Sequence, residues 1–97
     1  MFLEVDQGTE GIAVWNKKIN EYLTLVSSGN FEHLFTHPRF GVLIVAASER
    51  RMQSLRTHVA KTTSKLFYFT TQERIAAQGF WSAIWFRPEG EQLEFLI

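Results

Sequence analysis

The sequence predicts a thin, mostly parallel β-sheet with helices packed on it, in a single α/β domain over residues 1–97. Two patterns support this fold class: apolar runs typical of strands, and intervening stretches whose apolar residues recur with helical spacing. The expected strands cover residues 2–6, 40–46 and 66–70, and the expected helices cover residues 10–28 and 48–62. Strands that alternate with helices in this way imply right-handed crossovers and a β-α-β-α-β core of parallel strands.

The first strand and helix are defined by their apolar residues. Residues 2–6 form a short strand that ends at the turn of Gln7 and Gly8, and Glu10 then lies in the first turn of the helix, where a carboxylate suits the helix dipole. The helix carries one apolar stripe, which consists of Ile12, Trp15, Ile19, Leu23 and Val26.

The central strand is a continuous apolar run, which indicates a strand covered on both faces. Ser48 is expected to cap the following helix, and Met52, Leu55 and Val59 are expected to face inward. A short third helix runs from Thr71 to the stop at Gly79. The tail then predicts a C-terminal hairpin, with strands in residues 80–86 and 93–97.

Composition excludes several classes of function. Ten basic and ten acidic residues give a net charge of zero, which argues against nucleic-acid binding by overall charge but leaves room for a local basic patch. The absence of cysteine excludes disulfide scaffolds, zinc ribbons and cysteine nucleophiles, and fits a reducing cytoplasm. The longest apolar run, residues 42–47, is too short to cross a bilayer, and no signal peptide is evident. We therefore expect a cytoplasmic protein that does not span a membrane.

Two carboxylates lie on the first strand, near the edge where parallel α/β sheets usually place their sites. Glu4 and Asp6 are two residues apart, so their side chains point to the same face. Converging carboxylates can hold Mg²⁺, which prefers oxygen ligands. The alternative is that both side chains lie on the solvated face of an edge strand.

The first helix adds a lysine to these candidates. Lys18 flanks the apolar stripe and can lean toward the sheet, whereas Lys17 should point into solvent. A lysine beside two carboxylates and a metal can polarise a phosphate or activate water. The alternatives are a flanking lysine whose stem packs on apolar surface and, for Tyr22, a tyrosine at the core edge with a solvated hydroxyl.

Two arginines follow the central strand. Arg50 and Arg51 lie in the first turn of the second helix, at the positive end of the helix dipole, where cations are unfavourable. Helix starts and arginines both favour anions, so the pair indicates a phosphate or carboxylate partner. The alternative is a solvated face on which one arginine pairs with Glu49.

Three motifs together resemble a known family. They are F-L-E-V-D-Q-G-T-E over residues 2–10, K-x-x-x-Y over residues 18–22, and V-L-I-V followed by S-E-R-R in residues 42–51. They are similar to the C-terminal part of the replication-relaxation proteins of bacterial plasmids and mobile elements, over roughly residues 2–60. The resemblance implies a winged helix-turn-helix region upstream, a region similar to the restriction-endonuclease fold, and a role in plasmid DNA relaxation and replication.

The resemblance also implies roles for individual residues. The restriction-endonuclease fold uses an upstream Asp and then Asp/Glu-x-Lys, so Glu4 matches the acidic position while Asp6 stands where the lysine belongs. Lys18 would be the migrated lysine, with Glu10 and Tyr22 in support. The upstream Asp and the DNA-binding region would precede residue 1, so we expect a C-terminal part of a longer architecture that does not cleave DNA by itself.

Two hypotheses about function follow. In the first, the chain is a DNA-associated, nuclease-like module, with Glu4, Asp6 and Lys18 as catalytic residues, Glu4 and Asp6 as Mg²⁺ ligands, and Arg50 and Arg51 as DNA contacts. In the second, it is a noncatalytic interaction module that forms a homodimer. The first strand, which lacks a predicted neighbour on one side, and the aromatic tail favour self-association in either case. That tail comprises Phe80, Trp81, Trp85, Phe86 and Phe95.

Overall fold

The structure is a computed structural model that describes residues 2–8, 10–27, 41–64 and 66–96. The chain divides into two compact units, Met1–Gly8 with Gly41–Ile97 and, separately, Thr9–Phe40. The elements of the described residues, in chain order, are β1 Phe2–Asp6, α1 Ile12–Ser27, β2 Val42–Ala46, α2 Glu49–Ala60, β3 Phe67–Thr71, α3 Gln72–Gln78, β4 Trp85–Phe86 and β5 Leu93–Glu94.

The strands form one sheet in the order β1-β2-β3-β4-β5. β1 pairs parallel to β2, and β2 pairs parallel to β3, which confirms the predicted parallel core. β4 pairs antiparallel to both β3 and β5, so the sheet is mixed rather than mostly parallel. The expectation of a mostly parallel sheet is wrong because the C-terminal hairpin, which was predicted, joins the same sheet and widens it to five strands.

The hairpin strands are shorter than the sequence predicts. β4 and β5 have two residues each, whereas residues 80–86 and 93–97 were expected to be extended. Turns replace the start of the predicted strand, because the backbone N–H of Ser82 donates to Gly79 O and that of Ile84 donates to Ser82 O. These local hydrogen bonds satisfy the chain without a neighbouring strand.

Both faces of the central strand are covered, as predicted. All residues of β2 are buried. α2 contacts β2 and β3 and buries Met52, Leu55 and Val59 completely. A second apolar cluster joins alternate residues of β2 to the C-terminal segment and consists of Leu43, Val45, Ile84, Trp85 and Leu96. The tail therefore supplies much of the core on one face of the sheet.

The starts of α2 and α3 are capped by side-chain hydroxyls, at α2 by the predicted Ser48 and at α3 by Thr71. Ser48 Oγ accepts a hydrogen bond from Arg51 N at 3.1 Å, and Thr71 Oγ1 accepts one from Arg74 N at 3.1 Å. Gly79 ends α3 with a φ of 92°, a conformation that favours glycine. The capping at Ser48 fixes the first turn of α2, and with it the two arginines, directly after β2.

The other unit contains α1. Trp15 and Ile19 of the predicted stripe are buried, and Lys17 is exposed as predicted. Ile12 of that stripe is exposed, and α1 begins at Ile12, so Glu10 precedes the first turn in which it was expected. The predicted end of this helix at residue 28, and the predicted start of the central strand at residue 40, lie outside the described residues. No helix of the described residues is long and apolar enough to cross a membrane.

Candidate functional site at the carboxyl ends of the parallel strands

An ion pair between a buried carboxylate and a partly buried guanidinium lies at the carboxyl end of β1. The carboxylate of Asp6, which is 0% exposed, accepts a hydrogen bond from Arg51 Nε to Oδ2 at 2.7 Å and another from Arg51 Nη2 to Oδ1 at 3.1 Å. This two-point contact between a guanidinium and a carboxylate is the strong, charge-assisted kind. Each oxygen of Asp6 therefore already accepts a hydrogen bond from a cation.

The strand register explains why these two residues meet. Asp6 is paired with Ala46, the last residue of β2, so β1 and β2 end at the same level. Arg51 follows five residues later, in the first turn of α2, which is held over that edge by the Ser48 cap. Neighbouring parallel strands bring distant parts of the chain together at this edge, and sequence spacing gives no indication of the pair.

An open cleft of about 400 Å³ lies beside the ion pair. Its described lining residues are Gln7, Gly8, Ala47, Ser48, Arg50, Arg51 and Ser54, and none of them is acidic. Arg50 is exposed and has no ion-pair partner among the residues that the structure describes. Because Asp6 offsets the charge of Arg51, Arg50 supplies the uncompensated positive charge of this cleft.

The alternative pairing of an α2 arginine with Glu49 is not observed. Glu49 Oε1 instead accepts from Arg74 Nε of α3, at 2.5 Å. This contact links the starts of α2 and α3, and it removes Glu49 as a local counter-charge for Arg50.

The carboxylate of Asp6 on β1 already has a cationic partner, Arg51, which would compete with a divalent cation. Glu4 and Asp6 share a face, because they are two residues apart on β1 and side chains alternate along a strand. Both oxygens of Asp6 are engaged by Arg51, so they cannot bind a metal while the ion pair persists. Among the described residues, no group of three or more His, Asp or Glu side chains is placed to hold a metal ion. The assignment of Glu4 and Asp6 as metal ligands stays a prediction that this donor set does not favour.

Lys18, Glu10 and Tyr22 belong to the other unit. Lys18 Nζ lies 2.8 Å from Glu10 Oε2 and 3.0 Å from Oε1, and 5.0 Å from the centre of the Trp15 ring. The lysine therefore has a carboxylate and an aromatic ring as neighbours within its own unit. The catalytic role of Lys18 and the supporting roles of Glu10 and Tyr22 stay predictions.

A buried arginine, Arg56, was not identified as a structural residue from the sequence. Arg56 is 3% exposed, and it donates from Nε to Arg87 O at 2.9 Å and from Nη1 to Gln53 Oε1 at 2.8 Å. It also donates from Nη2 to Gly90 O, and its guanidinium lies 4.5 Å from the centre of the Phe86 ring. Helical spacing contained the signal: Arg56 follows Met52 by four residues, which places it on the buried stripe.

Comparison of this chain with protein-family models, with curated proteins and with solved structures finds no match. The resemblance to replication-relaxation proteins therefore rests on the three sequence motifs quoted above.

Proposed function

We propose that this chain is a DNA-associated, nuclease-like module of the replication-relaxation type, which contacts DNA phosphates through Arg50 and does not cleave DNA itself. One observation carries the proposal: the cleft at the carboxyl ends of β1 and β2 has no acidic residue in its described lining and contains Arg50 without an ion-pair partner among the described residues. An exposed guanidinium in such a cleft suits a phosphate.

The electrostatics of the helix start add to this support. The first turn of α2 has backbone N–H groups without partners inside the helix and the positive end of the helix dipole, and both favour an anion. The chain as a whole has a net charge of zero. DNA would therefore bind through this local cation rather than through overall charge, and affinity would be modest.

The absence of cleavage in the proposal follows from the ion pair. A nuclease-like site built on Glu4 and Asp6 would need their oxygens to hold a metal ion that activates water. Arg51 occupies both oxygens of Asp6. Supercoiled plasmid incubated with the chain and Mg²⁺ should stay intact, and nicking at a rate proportional to the protein concentration would contradict this part of the proposal.

Fluorescence anisotropy with a labelled DNA duplex at low salt tests the DNA contact. Arg50→Ala should weaken binding several-fold and lower the slope of log K against log salt by about 0.9, the value for one phosphate contact. Lys61→Ala is the matched control, because it removes an exposed cation at the other end of the same helix. No binding by the unmodified chain, or equal losses in the two variants, would overturn the proposal.

The second candidate is a noncatalytic interaction module that forms a homodimer. The observation that favours it is the exposure of large apolar side chains: Leu3 is 56% exposed, Val5 48%, Trp81 62% and Phe95 63%. β1, which carries two of them, is the first strand in the sheet order. Exposed apolar residues on an outer strand favour pairing with another chain.

Sedimentation equilibrium tests the dimer. The chain should sediment as a dimer, and Val5→Lys should sediment as a monomer, because a lysine on an edge strand opposes strand addition. Gln7→Lys, which adds the same charge just after the strand, is the control. A monomer mass for the unmodified chain at the highest soluble concentration would exclude this candidate.

A further inference from the structure

We infer that the guanidinium of Arg51 is a permanent counter-ion for Asp6 and occupies the position at this sheet edge that a divalent cation would otherwise take. Anion binding in the neighbouring cleft is therefore independent of metal. The statement about anion binding rests on the proposed function, whereas the statement about the counter-ion stands on the ion pair itself.

The contact geometry supports a permanent counter-ion. Asp6 is fully buried, and its two oxygens accept from two different nitrogens of one guanidinium, at 2.7 Å and 3.1 Å. A Mg²⁺ ligand oxygen must approach the ion to about 2.1 Å with near-octahedral geometry, so the metal and the guanidinium compete for the same lone pairs. Arginine cannot lose its proton under ordinary conditions, so the competitor is always charged.

The position of Arg51 in the chain also opposes displacement. Its backbone N–H donates to the capping hydroxyl of Ser48, so its main chain is fixed in the first turn of α2. Its side chain is 20% exposed, and a metal that displaced it would leave a partly buried guanidinium to find another partner. A metal ion can therefore bind Asp6 only if the guanidinium of Arg51 is left partly buried without its carboxylate partner.

A Mn²⁺ titration followed by NMR tests the inference, because Mn²⁺ broadens the signals of nuclei close to it. In the unmodified chain, the amides of residues 6–8 should show no localised broadening at submillimolar Mn²⁺. In Arg51→Met they should broaden, since Asp6 has lost its counter-ion. Arg50→Met removes the neighbouring charge and keeps the ion pair, so it should behave like the unmodified chain.

Two results would overturn the inference. Localised broadening around Asp6 in the unmodified chain would show that a metal binds despite Arg51. If the amides of residues 6–8 also fail to broaden in a folded Arg51→Met variant, Arg51 is not what prevents a metal ion from binding Asp6. If Arg51→Met does not fold, Arg51→Lys replaces it, because an ammonium contacts the carboxylate at one point and yields to a divalent ion more easily.

DNA binding in EDTA separates this inference from the proposed function. Equal affinity in EDTA and in Mg²⁺ is expected. Binding that requires Mg²⁺ would overturn the metal independence and leave a DNA-associated module in place. No DNA binding under either condition would remove the proposed function, while the Mn²⁺ titration would still decide the role of Arg51.

Discussion

Two arginines of α2 are held in contrasting ways. At the carboxyl ends of β1 and β2, Arg51 meets the buried carboxylate of Asp6, and the two charges cancel. At the connection between β4 and β5, Arg56 meets the backbone carbonyls of Arg87 and Gly90 and the ring of Phe86. The exposed carboxylate of Glu91 contributes only a distant contact there, with its Oε1 3.9 Å from Arg56 Nη1.

The contrast separates a structural region from a candidate functional one. Arg56 donates hydrogen bonds that hold the C-terminal hairpin against α2. Its guanidinium is buried and is therefore not available to a ligand. Arg51 neutralises Asp6, and among the described residues the adjacent Arg50 is left as the uncompensated charge of the cleft. Arginines of one helix therefore have different roles: Arg56 stabilises the packing of the hairpin, whereas Arg50 in the first turn gives the cleft a positive charge.

Burial lowers the pKa of Arg56, and the charge of Glu91 acts in the opposite direction. A cation with a lowered pKa in the folded state is protonated more readily in the unfolded state, so stability would rise with pH only above the folded pKa. Arginine keeps its proton in proteins under ordinary conditions, so the folded and unfolded states both carry it. Arg56 should therefore add no slope to the free energy of unfolding against pH under those conditions.

The largest expected effect is at the carboxyl edge. Arg51→Met leaves the buried carboxylate of Asp6 without its counter-ion and should lower the free energy of unfolding by about 3–5 kcal/mol, measured by urea denaturation. The double variant Asp6→Asn with Arg51→Met should recover part of this loss, because the uncompensated charge is gone.

Arg50→Met is the matched control for that measurement. It removes the same charge from the preceding position of the helix. Because the Arg50 side chain is exposed, the free energy of unfolding should change by no more than about 0.5 kcal/mol. An equal decrease in the free energy of unfolding in both variants would show that the ion pair with Asp6 does not stabilise the fold.

The next effect is at the hairpin. Arg56→Met keeps the apolar stem but leaves the carbonyls of Arg87 and Gly90 without this donor, and should cost about 2–3 kcal/mol in urea denaturation. Arg56→Lys retains the charge but not the planar fork, so its loss should be intermediate. A methionine variant as stable as the unmodified chain would mean that packing on Phe86, rather than hydrogen bonding, fixes this region.

The smallest effect is at the cap of α2. Ser48→Ala removes the acceptor for Arg51 N and should lower the free energy of unfolding by about 1 kcal/mol. Ser48→Thr keeps a hydroxyl and should lose clearly less. If the alanine variant also weakens the Asp6 ion pair, its loss will fall within the range expected for Arg51→Met, which would show that the cap and the ion pair are coupled.

Much of the fold could be predicted because its signals are local. The continuous apolar run of β2, the stripe of Met52, Leu55 and Val59, and the Ser48 cap were all recognised, and the structure confirms each of them. The mixed sheet was missed because strand direction at β4 depends on how the tail folds back. That return involves contacts between distant residues, which no short window of sequence contains.

The candidate site was predicted only in part. Sequence spacing correctly assigned Glu4 and Asp6 to one face of β1 and drew attention to Arg50 and Arg51, because periodicity and position after a strand are properties of the chain itself. It could not separate the two arginines, since their difference depends on a carboxylate 45 residues away from Arg51.

The sequence by itself determined the order of the elements, the buried face of α2 and the presence of charged residues after β1 and β2, because side-chain periodicity and capping act over a few residues. Only the tertiary structure decided which charges cancel. β1 and β2 end in register, so Asp6 lies under the first turn of α2, and the guanidinium within reach is that of Arg51. Electrostatic pairing depends on distance in space, and at this edge that distance is set by the parallel register of two strands.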